Sequence, residues 1–208
     1  MRTKGAKNRN HGDRREEILR AACGLFIRDG FHAASMKDLC AAAGMSPGSV
    51  YRYFASKDAI ITALIEADRA RWLSAMDALP VELGLLPALR ALAEQGLADL
   101  ETRGFLSLWV ETAAEASRNP VVARQLAASC RDCEARLAGI VERSQREGRI
   151  VSTTDPKLLT RLILAAFDGL LLRVAYDPSV DAREAATGFL EFIGNAVGAQ
   201  APRKGGRR

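Results

Sequence analysis

The sequence predicts an all-α protein of about nine helices, with a three-helix head at its N-terminus and a larger helical body behind it. Three observations carry that expectation. Alanine and leucine dominate the apolar residues, glycine and proline fall mostly where helices would begin or end, and no extended Val/Ile/Thr alternation appears. With 208 residues the chain can build one helical domain or two small ones, each with a sizeable core.

Residues 1–12 are polar and basic and contain no apolar stretch that would serve as a secretory signal, so they read as a flexible arm. Residues 13–29 read as the first helix. Ile18, Ala21, Ala22, Leu25 and Phe26 form its apolar stripe, and Gly30 ends it.

Residues 35–57, SMKDLCAAAGMSPGSVYRYFASK, hold two short helical patterns separated by Gly44. Ser35 can cap the first, with Asp38 completing a capping box, and Leu39, Ala42 and Ala43 give it one apolar side. Ser46 can cap the second, and Pro47 suits a first helical position whose N–H would lack a partner anyway. Gly48 and Ser49 add little bulk. Val50 and Phe54, four apart, would anchor the inner face and leave Tyr51, Arg52 and Tyr53 largely free. This is the arrangement by which a helix-turn-helix sets its second helix in a DNA major groove. A plain helical hairpin would have little reason to carry two exposed tyrosines on so short a helix.

Residues 13–60 resemble the DNA-binding domain of the TetR (tetracycline repressor) family of bacterial regulators. The lead-in helix DRREEILRAACGLFIRDGF and the run AAAGMSPGSVYRYFASKDAI carry the resemblance. It implies a helix-turn-helix domain over 13–58, and over 59–198 a divergent helical domain that dimerises and binds a small effector, before a basic tail at 199–208. It also implies DNA contact by Ser35, Ser46, Gly48, Ser49, Tyr51, Tyr53 and Lys57. Lys37, Pro47 and Arg52 complete the candidate surface. Tyr53 and Lys57 are expected to position the DNA backbone, with Ser46, Ser49 and Tyr51 nearer the bases. The sequence departs from the family at Ala34-Ser35, where two threonines are more usual; serine keeps the hydroxyl.

Charge is distributed as a polyanion-binding head requires. Residues 1–58 carry 11 Lys/Arg against 6 Asp/Glu, residues 59–198 carry 15 against 19, and 199–208 add four bases and no acid.

Beyond residue 57 a long helix is expected to about residue 79, before Pro80. Residues 82–118 suggest two helices broken near Arg103-Gly104, with Phe105, Leu108, Trp109 and Thr112 sharing a face. Asn119-Pro120 and Asp155-Pro156 each open a further helix. The second of these is apolar nearly all round, and a capping-box-like Asp181 and Glu184 start the last, whose stripe is Ala185, Ala186, Phe189, Phe192, Ile193, Ala196 and Val197. Two copies of these last two helices could form a four-helix bundle, with Leu162, Ala166, Leu170, Phe189, Ile193 and Val197 as dimerisation candidates. Trp72, Met76, Phe105, Trp109, Glu111 and Phe167 are the effector-binding candidates, since such pockets are apolar and aromatic with few polar groups. An acid among aromatics would suit a cation.

Enzymatic constellations are not evident: His11 and His32 join no nucleophile–base pattern, and no phosphate loop or HExxH occurs. Cys130 and Cys133 form a CxxC without the further ligands a zinc site needs. No catalytic residue, metal or cofactor is expected. No run is apolar enough to span a membrane, and a cytoplasmic location is expected. The sequence therefore predicts a DNA-binding regulator, most simply a homodimeric repressor that leaves a near-palindromic operator when a small effector binds. The alternative is a DNA-bound structural or partner-recruiting protein with no effector.

Overall fold

The break at Gly30 organises the head of the molecule. In the computed structural model the described residues are 4–80, 82–101 and 104–199, with the side chains of 4–12, 101 and 105 outside the description. Helix α1 spans Lys4–Ala33 and is interrupted at Gly30 (φ 75°, ψ 165°), a conformation open essentially to glycine alone. The remaining helices are α2 (Met36–Ala42), α3 (Pro47–Tyr51), α4 (Lys57–Asp77), α5 (Leu85–Glu101), α6 (Phe105–Ala116), α7 (Pro120–Arg146), α8 (Pro156–Tyr176) and α9 (Ala182–Val197). The described residues contain no strand.

Most boundaries sit where capping chemistry places them. Asn119 Oδ1 accepts the N–H groups of Val121 and Val122 at the start of α7. Asp155 caps α8 through the Leu158 N–H, and Asp181 caps α9 through that of Glu184. One boundary differs from expectation: α1 begins at Lys4, so the backbone of residues 4–12 continues the helix instead of forming a free arm. Extending a helix that is already nucleated adds one hydrogen bond per residue fixed, even through residues of modest propensity.

The described residues form two compact units, and the division is not the expected one at residue 58. The first comprises Met1–Asp68 with Gly104–Ser129, and the second comprises Arg69–Arg103 with Cys130–Arg208. Helix α6 and the start of α7 thus belong with the head.

In the first unit Ile18, Leu25 and Phe26 of α1 pack with Leu39, Val50, Phe54, Ile60 and Ile61, and Val122 of α7 joins them. Phe26 and Phe31 meet edge to face at 4.7 Å. Gly104, at the start of α6, lies so close to α1 that a β-carbon would overlap the Ile27 side chain. Cys40 is buried in this core and Cys23 is half-buried, as apolar-face thiols should be.

In the second unit the core is built from Leu85, Leu89, Leu137, Val141, Leu159, Ile163, Leu190, Ile193 and Val197. Ser144 is buried among them and fully used: its hydroxyl accepts the Leu85 N–H at 3.0 Å and donates to the Ile140 carbonyl at 2.8 Å. Ion pairs Arg69–Asp132, Arg71–Asp99 and Arg161–Glu134 lie on its surface.

Candidate nucleic-acid interface

Ser35 sets the entry to the helix-turn-helix. Its backbone N–H and its hydroxyl both donate to Asp38 Oδ2, at 3.0 and 2.5 Å, while its oxygen accepts the Asp38 N–H at 3.2 Å. These bonds, the hydroxyl one first, hold the Asp38 carboxyl below the usual carboxylate range. Helix α2 then buries Leu39 and Cys40 and turns at residues 43–44. Ser46 caps α3 through the Ser49 N–H (3.3 Å), and the two hydroxyls lie 2.9 Å apart.

Helix α3 is five residues long and buries Val50. Its outer surface presents Ser46, Pro47, Gly48, Tyr51 and Arg52, all exposed, with Ser35 and Lys37 exposed on α2 and its cap. Seven of the ten candidate DNA-contacting residues are thus exposed between Ser35 and Arg52, with Ser49 half-buried among them.

Two candidates stand differently. Tyr53 is not free: it is half-buried and packs against the first unit's core, with the Arg52 guanidinium 6.0 Å from its ring centroid. Helix α3 ends at Tyr51, and two positions further on Tyr53 is turned toward the core while Tyr51 stays exposed. Lys57 is half-buried, and its ammonium donates to the carbonyls of Phe31 (2.5 Å) and Ala34 (3.0 Å). It ties α4 to the α1–α2 corner. These two bonds use two of the ammonium's three donors.

Sequence reasoning missed two contributors. Arg15 lies with its guanidinium 5.2 Å from the Phe54 ring centroid, which puts a cation of α1 beside the end of the turn motif. Glu111 receives the Phe31 N–H at 3.0 Å, so the expected pocket acid is a structural partner of the head. The signal that could have found it, a glycine-broken helix needing an acceptor, does not specify where that acceptor lies in sequence.

Residues 18–64 match the family model described as bacterial regulatory proteins, tetR family, and residues 87–196, more than half of the chain, match the C-terminal model of BetI-type transcriptional repressors. The chain belongs to the tetR family. This TetR-family chain is 29% identical over 187 residues to the HTH-type transcriptional regulator UidR of Escherichia coli K12, covering 88% of this chain and 92% of that one. It is similar to Salmonella enterica GusR in structure, with a TM-score of 0.76 and 33% identity over 90% of this chain and 96% of that one. A SmeT–triclosan complex, 22% identical and covering 94% and 98% of the two chains, shares the fold with a TM-score of 0.79. Family membership makes the helix-turn-helix the DNA-reading element of a transcriptional regulator.

The remaining candidates fall in separate places. Trp109 and Glu111 lie in the first unit, while Trp72, Met76 and Phe167 lie in the second; the Phe105 side chain lies outside the described residues. In the second unit an apolar cavity of about 30 Å³ opens between α5, α8 and α9. Phe167, Phe189, Leu170, Leu97, Gly96 and Ala185 are among its lining residues. The Trp72 ring lies against Gly96, and Phe167 and Phe189 are 6.0 Å apart at the ring centroids. With Glu111 engaged elsewhere, the basis for expecting a cationic ligand falls away.

The dimerisation candidates divide as well. Leu162 is exposed, Ala166, Leu170 and Phe189 are half-buried, and Ile193 and Val197 are buried in the unit's own core. These last two serve the monomer. Helix α9 carries two apolar faces: Leu190, Ile193 and Val197 point inward, and Phe192 points out. Periodicity had merged them into one stripe. Among the described residues no group of three or more His, Cys, Asp or Glu is placed to hold a metal, and no helix is long and apolar enough to cross a membrane.

Proposed function

We propose that the chain works in the cytoplasm as a homodimeric repressor, reading a near-palindromic operator through two copies of the helix-turn-helix and released by a small apolar effector. The observation that carries this reading is an uncovered apolar face on the last two helices. Leu158, Leu162, Leu172 and Tyr176 recur along one side of α8 with 47–59% of their surface exposed, and Phe192 of α9 is 63% exposed. Apolar side chains in that number and alignment mark an interaction surface, and an interface on one face of two helices is self-complementary about a two-fold axis. Ser46, Ser49 and Tyr51 would meet the bases, with Ser35, Lys37, Arg52, Tyr53 and Lys57 positioning the DNA backbone.

The effector reading rests on the cavity beside Phe167 and Phe189. Its lining is apolar, which selects an uncharged ligand. Known pockets for such ligands hold roughly 300–1,000 Å³, so an effector must part α5 from α9 to enter. Ligand affinity would then differ between two conformations, as release from DNA requires. A SmeT–triclosan complex shares the fold, which supports a compact effector of this kind.

Selection of random-sequence duplexes by the purified protein tests the DNA reading: an enriched two-fold motif supports it, and salt-sensitive binding without a motif rejects it. Sedimentation of Leu162→Glu and Phe192→Glu tests the dimer, which should dissociate with helicity retained. Thermal stabilisation by uncharged aromatic compounds, absent in Phe167→Asp, would identify the cavity. No stabilisation across such compounds favours a regulator that recruits a partner without an effector.

A further inference from the structure

The corner between α1 and the helix-turn-helix is held at one residue from two directions. Gly30 leaves the helical conformation, so the next N–H cannot follow the regular helical ladder. That N–H, on Phe31, donates to Glu111 Oε2 at 3.0 Å, across 80 residues of sequence. The carbonyl of the same residue accepts from Lys57, which also takes the Ala34 carbonyl. Both Phe31 and Ala34 are buried. Ser35, the cap of α2, follows immediately.

Glu111 is a costly choice for packing alone, because a half-buried carboxylate must be given donors. Its oxygens lie 3.2 and 3.3 Å from where a β-carbon of Gly30 would stand, so the carboxylate fills the space the glycine leaves. Lengthening or losing the bond frees the peptide at the hinge from which α2 and α3 are hung. The angle of α3 to the rest of the head then becomes a variable.

We infer that Glu111 is a positioning residue for DNA binding: through the Phe31 N–H it fixes the corner that aims the recognition helix, although it belongs to α6 and lies outside the helix-turn-helix. This rests on the helix-turn-helix being the DNA-reading element.

The test uses the full-length protein, the duplex recovered by the selection above, and the variants Glu111→Ala and Glu111→Gln. Glu111→Ala should weaken operator binding about tenfold or more, as expected for losing a charge-assisted bond that orders a binding element. Glu111→Gln keeps an amide oxygen to accept the Phe31 N–H and should bind within about threefold of the unaltered protein. The sign separates this from simple electrostatics: removing a negative charge should otherwise strengthen binding to a polyanion in both variants. Amide exchange across residues 30–36 should quicken in Glu111→Ala and stay protected in Glu111→Gln. Unchanged exchange in the alanine variant overturns the inference independently of DNA. So does equal weakening in both variants, or unaltered operator affinity in Glu111→Ala. If the unaltered protein selects no motif, the DNA reading fails first and the inference falls with it.

Discussion

Asn119 joins the start of α7 to the start of α4: its amide nitrogen donates to Asp58 Oδ1 at 3.1 Å, across 61 residues, while its oxygen caps its own helix through the Val121 N–H at 3.0 Å. One side chain thereby satisfies an orphan helix donor and bridges two elements of the first unit. Asn119→Ala should lose both functions and cost about 1–2 kcal/mol in urea unfolding. Asn119→Asp keeps the cap and places a second carboxylate beside Asp58, so it should recover only part of the loss. An alanine variant as stable as the unaltered protein would show that the cap is replaced by water.

Gly30 and Gly139 should respond oppositely to alanine. At Gly30 the backbone has φ 75° and ψ 165°, and a β-carbon would stand 3.2 Å from the Glu111 carboxylate. The cost is expected at about 1–3 kcal/mol. Gly139 lies inside α7 with nothing within 4 Å of an added β-carbon, and alanine there should stabilise by about 0.5–1 kcal/mol. Thermal or urea midpoints of the two variants check the pair, and destabilisation by Gly139→Ala would contradict the helical setting.

Tyr51 and Tyr53 separate contact from support. Tyr51 is 51% exposed and Tyr53 packs against the core. Tyr51→Ala should leave stability within about 0.5 kcal/mol while operator affinity drops. Tyr53→Ala should lower both, with roughly 1–3 kcal/mol lost from stability. Tyr53→Phe keeps the packing and isolates the hydroxyl. Parallel urea melts and operator titrations read the difference; a Tyr51 variant with full operator affinity would remove that residue from the interface.

The Ser35–Asp38 box makes the first turn of α2 acid-sensitive. Hydrogen bonds from Ser35 favour the ionised carboxylate, so the folded value of Asp38 lies below the ordinary 3.8. The contribution is full above that ordinary value and is lost as pH falls through the lower folded one. Stability measured between about pH 5 and pH 2 should fall less steeply in Asp38→Asn, and in Ser35→Ala, than in the unaltered protein. An identical slope in all three would place the acid sensitivity elsewhere.

Capping and turn chemistry are local, and that part of the fold is legible in the chain. Ser35 with Asp38, Ser46-Pro47, Asn119-Pro120, Asp155-Pro156 and Asp181 all begin helices where their own side chains can reach the backbone two or three residues on. The same short reach makes the helix-turn-helix readable, because its turn, its caps and its exposed residues lie within 23 consecutive positions. Charge placement added its polyanion partner.

What local chemistry does not specify is which distant residue completes an element. Glu111 read as a pocket acid because it lies near aromatics in sequence, yet it serves Phe31; Lys57 read as a phosphate contact, and two of its donors go to the α1–α2 corner. Ile193 and Val197 read as one stripe with Phe192, and the fold covered the first two and left Phe192 exposed. Helical periodicity reports that a face is apolar, not what covers it. The sequence by itself determined where the side-chain-capped helices begin, which short pair forms the helix-turn-helix and which family the head resembles. Tertiary structure alone decided which acids and lysines hold that head, where α6 belongs and which apolar face stays open, because those outcomes depend on contacts between residues tens of positions apart.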